Sequence, residues 1–455
     1  MSTDTIAAIS TGGSNSGINI IRISGDEAFR IVSDIFTNFK SLSHQKIVYG
    51  KIKNPNTSKV VDEVLVSMFC APNSYTGEDV CEINTHGGRA VTQEVLELVL
   101  ERGAKIAEAG EFSKRAFLNG KMDLSKAEAI IDIINAKTKI QTDFAISKLE
   151  GGLKDKVNSI RQSLIDLMAQ IEVNIDYPEY DYDLLSKNAL KTILERIDFE
   201  INKMIEDSKD GKYIKDGVNL AIIGGTNAGK SSLLNALAKS DRAIVTDIEG
   251  TTRDVVEETV VVGNLVLNIA DTAGIRETTD VVEKIGVEKS LKCIETSDLV
   301  IYLIDSTKGL SVRDKELIST LRELNKTHIV CFNKIDVCKD FEQNEFLNME
   351  KYLEQISCLT GEGIEHLKTT IQEVFNATDI SKFEDKIIVN ERHKDLLQKA
   401  RRSLHNAMKD IEADMSIDIP VISLNEALQN LGEITGESVT EDVINRIFER
   451  FCLGK

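Results

Sequence analysis

The sequence predicts a multidomain α/β plus α protein. It would have a small N-terminal α/β domain, a helical domain and, inserted into the latter, a doubly wound α/β domain with a mostly parallel sheet. Three observations predict this class. The 455 residues suffice for roughly three domains. Short β-branched runs alternate with helical segments between residues 216 and 374, as in parallel sheets. Apolar residues recur at helical spacing on both sides of that region.

The N-terminal α/β domain is expected at residues 1–118, where strand-like runs mix with helical stretches such as Val91–Arg102. The strand-like runs are Ile18–Ile23, Val61–Phe69 and Asp79–Asn84. Residues 119–215 are predicted to form the first part of the helical domain. Their apolar residues recur three or four positions apart, which indicates one face of a long helix. This stripe comprises Leu153, Val157, Ile160, Leu164, Met168, Ile171 and Ile175.

The parallel-sheet domain is expected at residues 216–376, and residues 377–455 are predicted to complete the helical domain. Gly263-Asn264 lies between two β-branched runs and predicts one antiparallel hairpin. Helical sequence on both flanks favours an insertion, in which the flanks pack together; two separate helical domains are the alternative. The predicted strands are Val218–Gly224, Val266–Asp271, Leu299–Asp305 and His328–Asn333.

Composition excludes several classes of protein. With 55 basic and 74 acidic residues the net charge is −19, which disfavours a surface that coats nucleic acid. The seven cysteines are odd in number and form no C-x-x-C pair, so a disulfide framework or a zinc site is not expected. The N-terminus has no signal-peptide pattern, and no uncharged apolar run is long enough to cross a membrane. We therefore expect a cytoplasmic protein without a membrane span.

A phosphate-binding loop is predicted at Gly224–Ser231, which matches the pattern G-x-x-x-x-G-K-[ST] between an apolar strand and a helix. Glycines let such a loop wrap closely around phosphates and aim its N–H groups at them. Lys230 would neutralise the β- and γ-phosphates, and the Ser231 hydroxyl would bind Mg²⁺. The following helix adds the positive end of its dipole.

Further motifs predict that the nucleotide is GTP. Asp271-Thr272-Ala273-Gly274 supplies a carboxylate for Mg²⁺ and an N–H for the γ-phosphate, and Thr252 is placed to complete the Mg²⁺ shell. In Asn333-Lys334-Ile335-Asp336, the carboxylate can accept two hydrogen bonds from guanine, which adenine cannot offer. Ser357-Cys358-Leu359 precedes a glycine-containing loop suited to back the base. The order of these motifs indicates a GTP-binding domain.

The residue that positions the attacking water is left open by the motifs. Ile275 occupies the place of the glutamine that orients this water in Ras-type switches, and it cannot hydrogen-bond. Glu283 could reach back to the water, or it could be an ordinary exposed helix carboxylate. Asn227 could offer its carbonyl to a monovalent cation between the phosphates, or it could merely suit the turn.

Further motifs lie outside the GTP-binding region, near both ends of the chain. Together with the phosphate-binding loop they resemble the MnmE (TrmE) family of tRNA-modifying GTPases. The resemblance rests on the segments 74–80, 110–121, 227–235, 243–254 and the terminal Phe451-Cys452-Leu453-Gly454-Lys455. For the fold, it implies an N-terminal folate-binding and dimerisation domain and a Ras-like P-loop GTPase domain inserted into the helical domain.

For activity, the resemblance implies a potassium-activated GTP hydrolase that forms a homodimer. It would assemble with an FAD-dependent partner protein into a heterotetramer and add a carboxymethylaminomethyl or aminomethyl group to C5 of the wobble uridine of certain tRNAs. The implied cofactors are Mg²⁺, K⁺ and 5-formyltetrahydrofolate or another one-carbon tetrahydrofolate. The folate contacts carry over to Arg22, Glu82, Lys121 and Lys455.

The resemblance also implies residue roles in catalysis. Lys230, Glu283 as the water-positioning acid and Cys452 would be catalytic, although a structural thiol is the alternative for Cys452. Mg²⁺ would be held by Ser231 and Thr252, and K⁺ by Asn227, Thr246, Ile248 and Thr251. The implied GTP contacts are Asn227, Ala228, Gly229, Lys230, Ser231, Ser232, Thr246, Asp247, Ile248, Glu249, Gly250, Thr251, Thr252, Asp271, Thr272, Ala273, Gly274, Asn333, Lys334, Asp336, Ser357, Cys358 and Leu359.

Two other functional classes remain as alternatives. One is a GTPase that gates ribosome assembly without covalent chemistry, for which a basic RNA-binding module would be expected. The other is a signalling switch that needs external exchange and activating proteins. The acidic composition disfavours the first of these.

Overall fold

A computed structural model of the chain describes residues 4–12, 16–176, 187–240, 258–269, 293–338, 350–375, 377, 387–413, 415–416 and 418–455. The chain divides into two compact units. The first comprises residues 1–134, 147–201 and 391–455, and the second comprises residues 135–146 and 202–390. Helices from both flanks of the second unit thus lie in the first. The predicted boundaries at 118/119, 215/216 and 376/377 stay predictions.

The first unit contains a six-stranded sheet with strand order β3-β4-β5-β2-β1-β6. Its strands are antiparallel except for the pair β1–β6. Helices α1 and α2 cover one face, where side chains such as Ile31 and Val95 pack on Ile21 and Ile83. The elements are β1 (Ile6–Ile9), β2 (Ile18–Ser24), α1 (Ala28–Ile35), β3 (Ile47–Lys53), β4 (Val60–Phe69), β5 (Val80–His86), α2 (Arg89–Glu101), β6 (Lys105–Ile106) and α3 (Glu111–Leu118).

Helices of 8 to 30 residues follow the N-terminal sheet along the chain, as predicted. They are α4 (Leu124–Asn135), α5 (Lys139–Leu149), α6 (Gly152–Asp176) and α7 (Lys187–Asp216), and near the C-terminus α11 (Glu391–Glu412), α12 (Asp418–Thr435) and α13 (Glu441–Phe448). The α6 stripe is buried at Leu153, Val157, Ile160, Leu164, Met168 and Ile171. Helix α12 packs against both α11 and α6. Within the described ranges, no helix has the length and apolar character needed to cross a membrane.

The second unit is built on a six-stranded sheet of order β12-β11-β10-β7-β9-β8, parallel except for the pair β8–β9. This confirms the predicted doubly wound sheet. The predicted hairpin is present, with Val262 opposite Leu265 across Gly263-Asn264. The elements are β7 (Val218–Gly224), α8 (Lys230–Ser240), β8 (Glu258–Val262), β9 (Leu265–Ile269), β10 (Leu299–Asp305), α9 (Val312–Glu323), β11 (His328–Asn333), β12 (Leu353–Ile356) and α10 (Ile364–Val374).

Both faces of this sheet are covered, and its central strands are accordingly rich in apolar residues, as parallel strands buried on two sides are. One face packs under α8 and α10 through Leu237 and Leu367. The other packs under α9 through Ile318 and Leu321. The carboxyl ends of β7, β10 and β11 therefore meet at one edge, where ligands bind in doubly wound folds.

An ion pair in the first unit joins α4 to α11. The Glu128 carboxylate accepts hydrogen bonds from Arg392 Nε at 2.9 Å and Nη2 at 3.1 Å, and it lies 2.6 Å from the Nε2 atom of the fully buried His393. Although burial opposes ionisation, contact with His393 and the charge of Arg392 hold the pKa of Glu128 well below its usual range. The stability of this ion pair therefore depends on an ionised Glu128 carboxylate.

We expect Glu128→Gln to lower the free energy of unfolding of this unit by about 3 kcal/mol, because it leaves the Arg392 cation desolvated beside a neutral partner. The exposed Lys191–Glu412 pair provides the matched control. Glu412→Gln should leave the free energy of unfolding nearly unchanged, because solvent screens an exposed ion pair. Urea unfolding followed by circular dichroism measures both, and equal effects would contradict the argument.

Candidate functional site

The loop between β7 and α8 has the backbone that a phosphate cradle needs. Gly229 has φ +102°, and a Cβ there would lie 2.2 Å from Asn333 Nδ2. A Cβ on Gly224 would lie 2.3 Å from the carbonyl oxygen of Leu303. Asn227 adopts φ +62°, a left-handed conformation that asparagine tolerates better than most residues. Close packing thus requires both glycines of the sequence pattern, and backbone conformation requires Gly229 as well.

Asn333 ties this loop to the loop that follows β12. The side chain is 2% exposed, and its Nδ2 donates to the Ala228 carbonyl at 2.8 Å. Its Oδ1 accepts from the Cys358 N–H at 3.0 Å. A single buried amide therefore fixes the spacing between a predicted phosphate loop and a predicted base loop.

A cavity of about 500 Å³ opens at this edge of the sheet. It brings together residues from three of the predicted motifs, which are far apart in sequence. Its lining is Thr226, Asn227, Gly229, Lys230, Ser231, Ser232, Asn333, Lys334, Asp336, Val337, Cys358 and Leu359. Thr226 lies within the predicted phosphate-binding loop, whereas Val337 was not predicted, and its only signal is adjacency to Asp336. The volume suits a nucleotide-sized ligand.

Lys230 begins α8 and folds back over its own loop. Its Nζ donates to the carbonyl oxygens of Gly224 at 3.0 Å and Gly225 at 2.9 Å. Burial lowers the pKa of Lys230. An arriving phosphate would supply full negative charge in place of these neutral acceptors, and charge-assisted hydrogen bonds are the stronger ones. Ser231, in the first turn of α8, is exposed and lines the cavity.

The other end of the cavity carries Asp336. Its Oδ1 accepts from the Ser357 hydroxyl at 2.6 Å, and the Ser357 oxygen accepts in turn from the Thr360 N–H at 3.2 Å. Leu359 is 87% exposed at the cavity. Burial raises the pKa of the Cys358 thiol to about 11, so it stays protonated at neutral pH. A carboxylate oriented by a hydroxyl is suited to accept hydrogen bonds from a guanine edge.

Several predicted site residues lie outside the described residues, and their roles stay predictions. They are Thr246, Asp247, Ile248, Glu249, Gly250, Thr251, Thr252, Asp271, Thr272, Ala273, Gly274 and Glu283. Sequence reasoning missed Asp305, whose carboxylate lies 2.6 Å from the Lys334 ammonium. A carboxylate at a strand end was its only signal.

The residues predicted for folate lie in the first unit. Arg22 and Glu82 face each other on β2 and β5, with Nε 2.9 Å from Oε1. The Arg22 guanidinium carbon lies 5.0 Å from the ring centre of Tyr75 and 5.7 Å from that of Phe112. Lys121 Nζ donates to the Pro72 carbonyl at 2.9 Å. Aromatic contact and the ion pair together hold the Arg22 side chain in one orientation.

The C-terminal residues dock on the same unit. The Ser10 hydroxyl donates to the Gly454 carbonyl at 2.8 Å, and Leu453 forms a bridge with Ala109. Gly454 has φ +89°, and a Cβ there would lie 2.3 Å from the Ile9 carbonyl oxygen. Cys452 is exposed, two residues before this contact. The docked tail thus sets where the Cys452 thiol lies.

Gly454→Ala should release this tail, because the new Cβ meets backbone and the left-handed conformation is strained for alanine. We expect carboxypeptidase B to remove Lys455 about tenfold faster, for a strain of about 1.4 kcal/mol. Gly120→Ala is the control, since Gly120 has φ +70° but open space around it. Equal removal rates in wild type and Gly454→Ala would contradict the docking.

Comparisons with known proteins agree with this architecture. The family model "MnmE helical domain" matches residues 124–452, and "GTP-binding protein TrmE N-terminus" matches residues 5–121. The tRNA modification GTPase MnmE of Thermoanaerobacter pseudethanolicus is 45% identical over 459 residues, covering 99% of each chain. That of Acetivibrio thermocellus is 46% identical over 457 residues, again covering 99% of each chain.

Among solved structures, Era in complex with MgGDPNP and 16S ribosomal RNA nucleotides is 27% identical. The matched region covers 41% of this chain and 66% of the Era chain, at a TM-score of 0.27. The assignment therefore rests on the sequence relatives and the family models. The chain belongs to the MnmE (TrmE) family of tRNA modification GTPases, which makes it a GTP hydrolase.

Proposed function

We propose that the protein is a potassium-activated GTP hydrolase that acts with an FAD-dependent partner on tRNA. The two would add a carboxymethylaminomethyl or aminomethyl group to C5 of the wobble uridine, in the cytoplasm. The observation that supports GTP hydrolysis is the cavity in which Asn333 joins the phosphate loop to the base loop. Full-length similarity to tRNA modification GTPases supports a role in tRNA modification.

For hydrolysis, Lys230 would leave the carbonyls of Gly224 and Gly225 to neutralise the β- and γ-phosphates. Ser231 and Thr252 would hold Mg²⁺, which neutralises charge on the phosphates; Ser231 fits because it is exposed at the cavity. Asp336 would accept from the guanine N1–H and 2-amino group. These assignments give each end of the cavity a complementary charge.

Potassium activation rests on a need for positive charge between the phosphates and on a polar group that could bind the cation there. Asn227 has a left-handed backbone conformation and lines the cavity within the phosphate loop. Thr246, Ile248 and Thr251 would complete the potassium shell. Glu283 would orient the attacking water, because Ile275 cannot.

For the folate, the residues present fit a ligand with a donor-rich ring and a carboxylate tail. Glu82 can accept from pterin donors, and the cations of Arg22, Lys121 and Lys455 can meet carboxylates. The tetrahydrofolate would supply the one-carbon unit. Cys452, held on the docked tail, would act beside it. We further propose a homodimer through the N-terminal domain, which joins the FAD-dependent partner as a heterotetramer.

The experiment is steady-state GTP hydrolysis in potassium against sodium at equal ionic strength. We expect strong stimulation by potassium that Glu283→Ala abolishes, and that the neighbouring Glu288→Ala retains. Removing a group that positions water costs about a hundredfold or more in kcat. Equal slow rates in both salts would contradict the proposal and would favour a switch that waits for an outside activator.

A further inference from the structure

The carboxylate of Asp305 lies at the end of β10 and is 7% exposed. Its Oδ2 accepts from Lys334 Nζ at 2.6 Å. Its Oδ1 accepts from the Thr307 hydroxyl at 2.6 Å and from the Thr307 N–H at 3.1 Å. Both oxygens are therefore engaged, and Thr307 sets the orientation in which the carboxylate faces Lys334.

Lys334 lies at the cavity in an unusual conformation. Its backbone has φ +71°, which is strained for a residue with a long side chain. Lys334 lines the cavity together with Asn333 and Asp336, and its ammonium is the end that Asp305 holds. The side chain is thus fixed at both ends, although its position on a loop would otherwise leave it free to rotate.

The strand register places Asp305 where this restraint matters. Asp305 lies opposite Asn333 in the β10–β11 pair, and the Ser306 N–H donates to the Asn333 carbonyl at 3.0 Å. The end of β10 is therefore bonded to the same turn that carries the amide of Asn333 and the carboxylate of Asp336. A change in the Asp305–Lys334 pair would reach the base end of the cavity directly.

We infer that Asp305 is a positioning residue for recognition of the guanine base. It holds Lys334 extended, so that the apolar stem of the lysine forms a fixed wall for the planar purine beside Asp336. Asp305 does not touch the nucleotide; it acts through Lys334. This inference rests on the proposed assignment of Asn333–Asp336 to guanine.

The test is a double-mutant cycle on GDP affinity, with fluorescent GDP as the probe. We expect Asp305→Ala to raise the Kd about tenfold, because it releases a charge-assisted hydrogen bond. The kcat at saturating GTP should change less than about twofold, as for a lost uniform binding contribution. In a Lys334→Ala background, Asp305→Ala should change the Kd less than about twofold, since the positioned group is already gone.

Glu350→Ala is the matched control, because Glu350 is a buried carboxylate at the other end of β11, bonded to Arg322 and 2.7 Å from His328 Nε2. It should lower thermal stability and leave the GDP Kd unchanged. A tenfold effect of Asp305→Ala in both backgrounds would overturn the inference, because Asp305 would then act on the fold alone. An unchanged Kd in Lys334→Ala alone would instead overturn the proposed guanine assignment, and the inference with it.

Discussion

Gly229→Ala is expected to lower the affinity for GTP by at least about a hundredfold. The substitution places a Cβ 2.2 Å from Asn333 Nδ2 at φ +102°. The amide that joins the phosphate loop to the base loop must then move, and alanine is strained in this conformation. Together these costs exceed about 2.7 kcal/mol, which corresponds to that factor. Equilibrium binding of a fluorescent GTP analogue measures the loss.

Gly225→Ala provides the control four residues earlier in the same loop. A Cβ at Gly225 meets nothing within 4 Å, and its φ lies outside the left-handed region. We expect its affinity for GTP to stay within about twofold of wild type. Equal losses in the two variants would mean that the loop responds to any added methyl group, contrary to the geometry at Asn333.

Asp336→Asn is the second substitution with a large expected effect. Guanine presents two donors to the carboxylate, whereas an amide offers one acceptor and one donor. The variant loses two charge-assisted hydrogen bonds, and its amide N–H₂ group faces a guanine donor. Together these effects cost about 3 kcal/mol of binding free energy, so GTP affinity should fall about a hundredfold. Xanthosine triphosphate carries a carbonyl in place of the 2-amino group, so the variant should bind it better than GTP.

Displacement of one fluorescent nucleotide by GTP or by xanthosine triphosphate measures the affinity of each variant for the two nucleotides. The Ser357 hydroxyl, 2.6 Å from Asp336 Oδ1, can still donate to the amide oxygen, so the loop should remain in place. A variant that keeps the wild-type preference for GTP would show that Asp336 does not read the base.

Local sequence patterns predicted most of the fold. The strands Leu299–Asp305 and His328–Asn333 have the predicted bounds, because an apolar β-branched run between polar ends determines a buried strand locally. The hairpin at Gly263-Asn264 was predicted for the same reason. Residues 135–146 show the limit: Ile140 lies in the core of the second unit, and Gln141 Nε2 donates to the Lys215 carbonyl at 2.9 Å. Only tertiary contacts reveal that.

Part of the candidate site could also be predicted from local sequence, and part depends on tertiary contacts. The phosphate loop and the Asn333–Asp336 motif could be predicted, because their chemistry depends on fixed short spacings. The joining role of Asn333 and the Asp305–Lys334 pair could not, since they link residues on different strands. No periodicity in the sequence encodes which strand ends become neighbours.

GTP hydrolysis at this cavity is proposed to support tRNA modification. Its most direct test is mass spectrometry of wobble nucleosides from cells that lack the gene and carry wild type, Gly225→Ala or Gly229→Ala in its place. We predict that wild type and Gly225→Ala restore the C5-modified uridine and that Gly229→Ala does not. Full restoration by Gly229→Ala, at equal protein abundance and with GTP binding lost, would show that tRNA modification does not depend on GTP at this cavity.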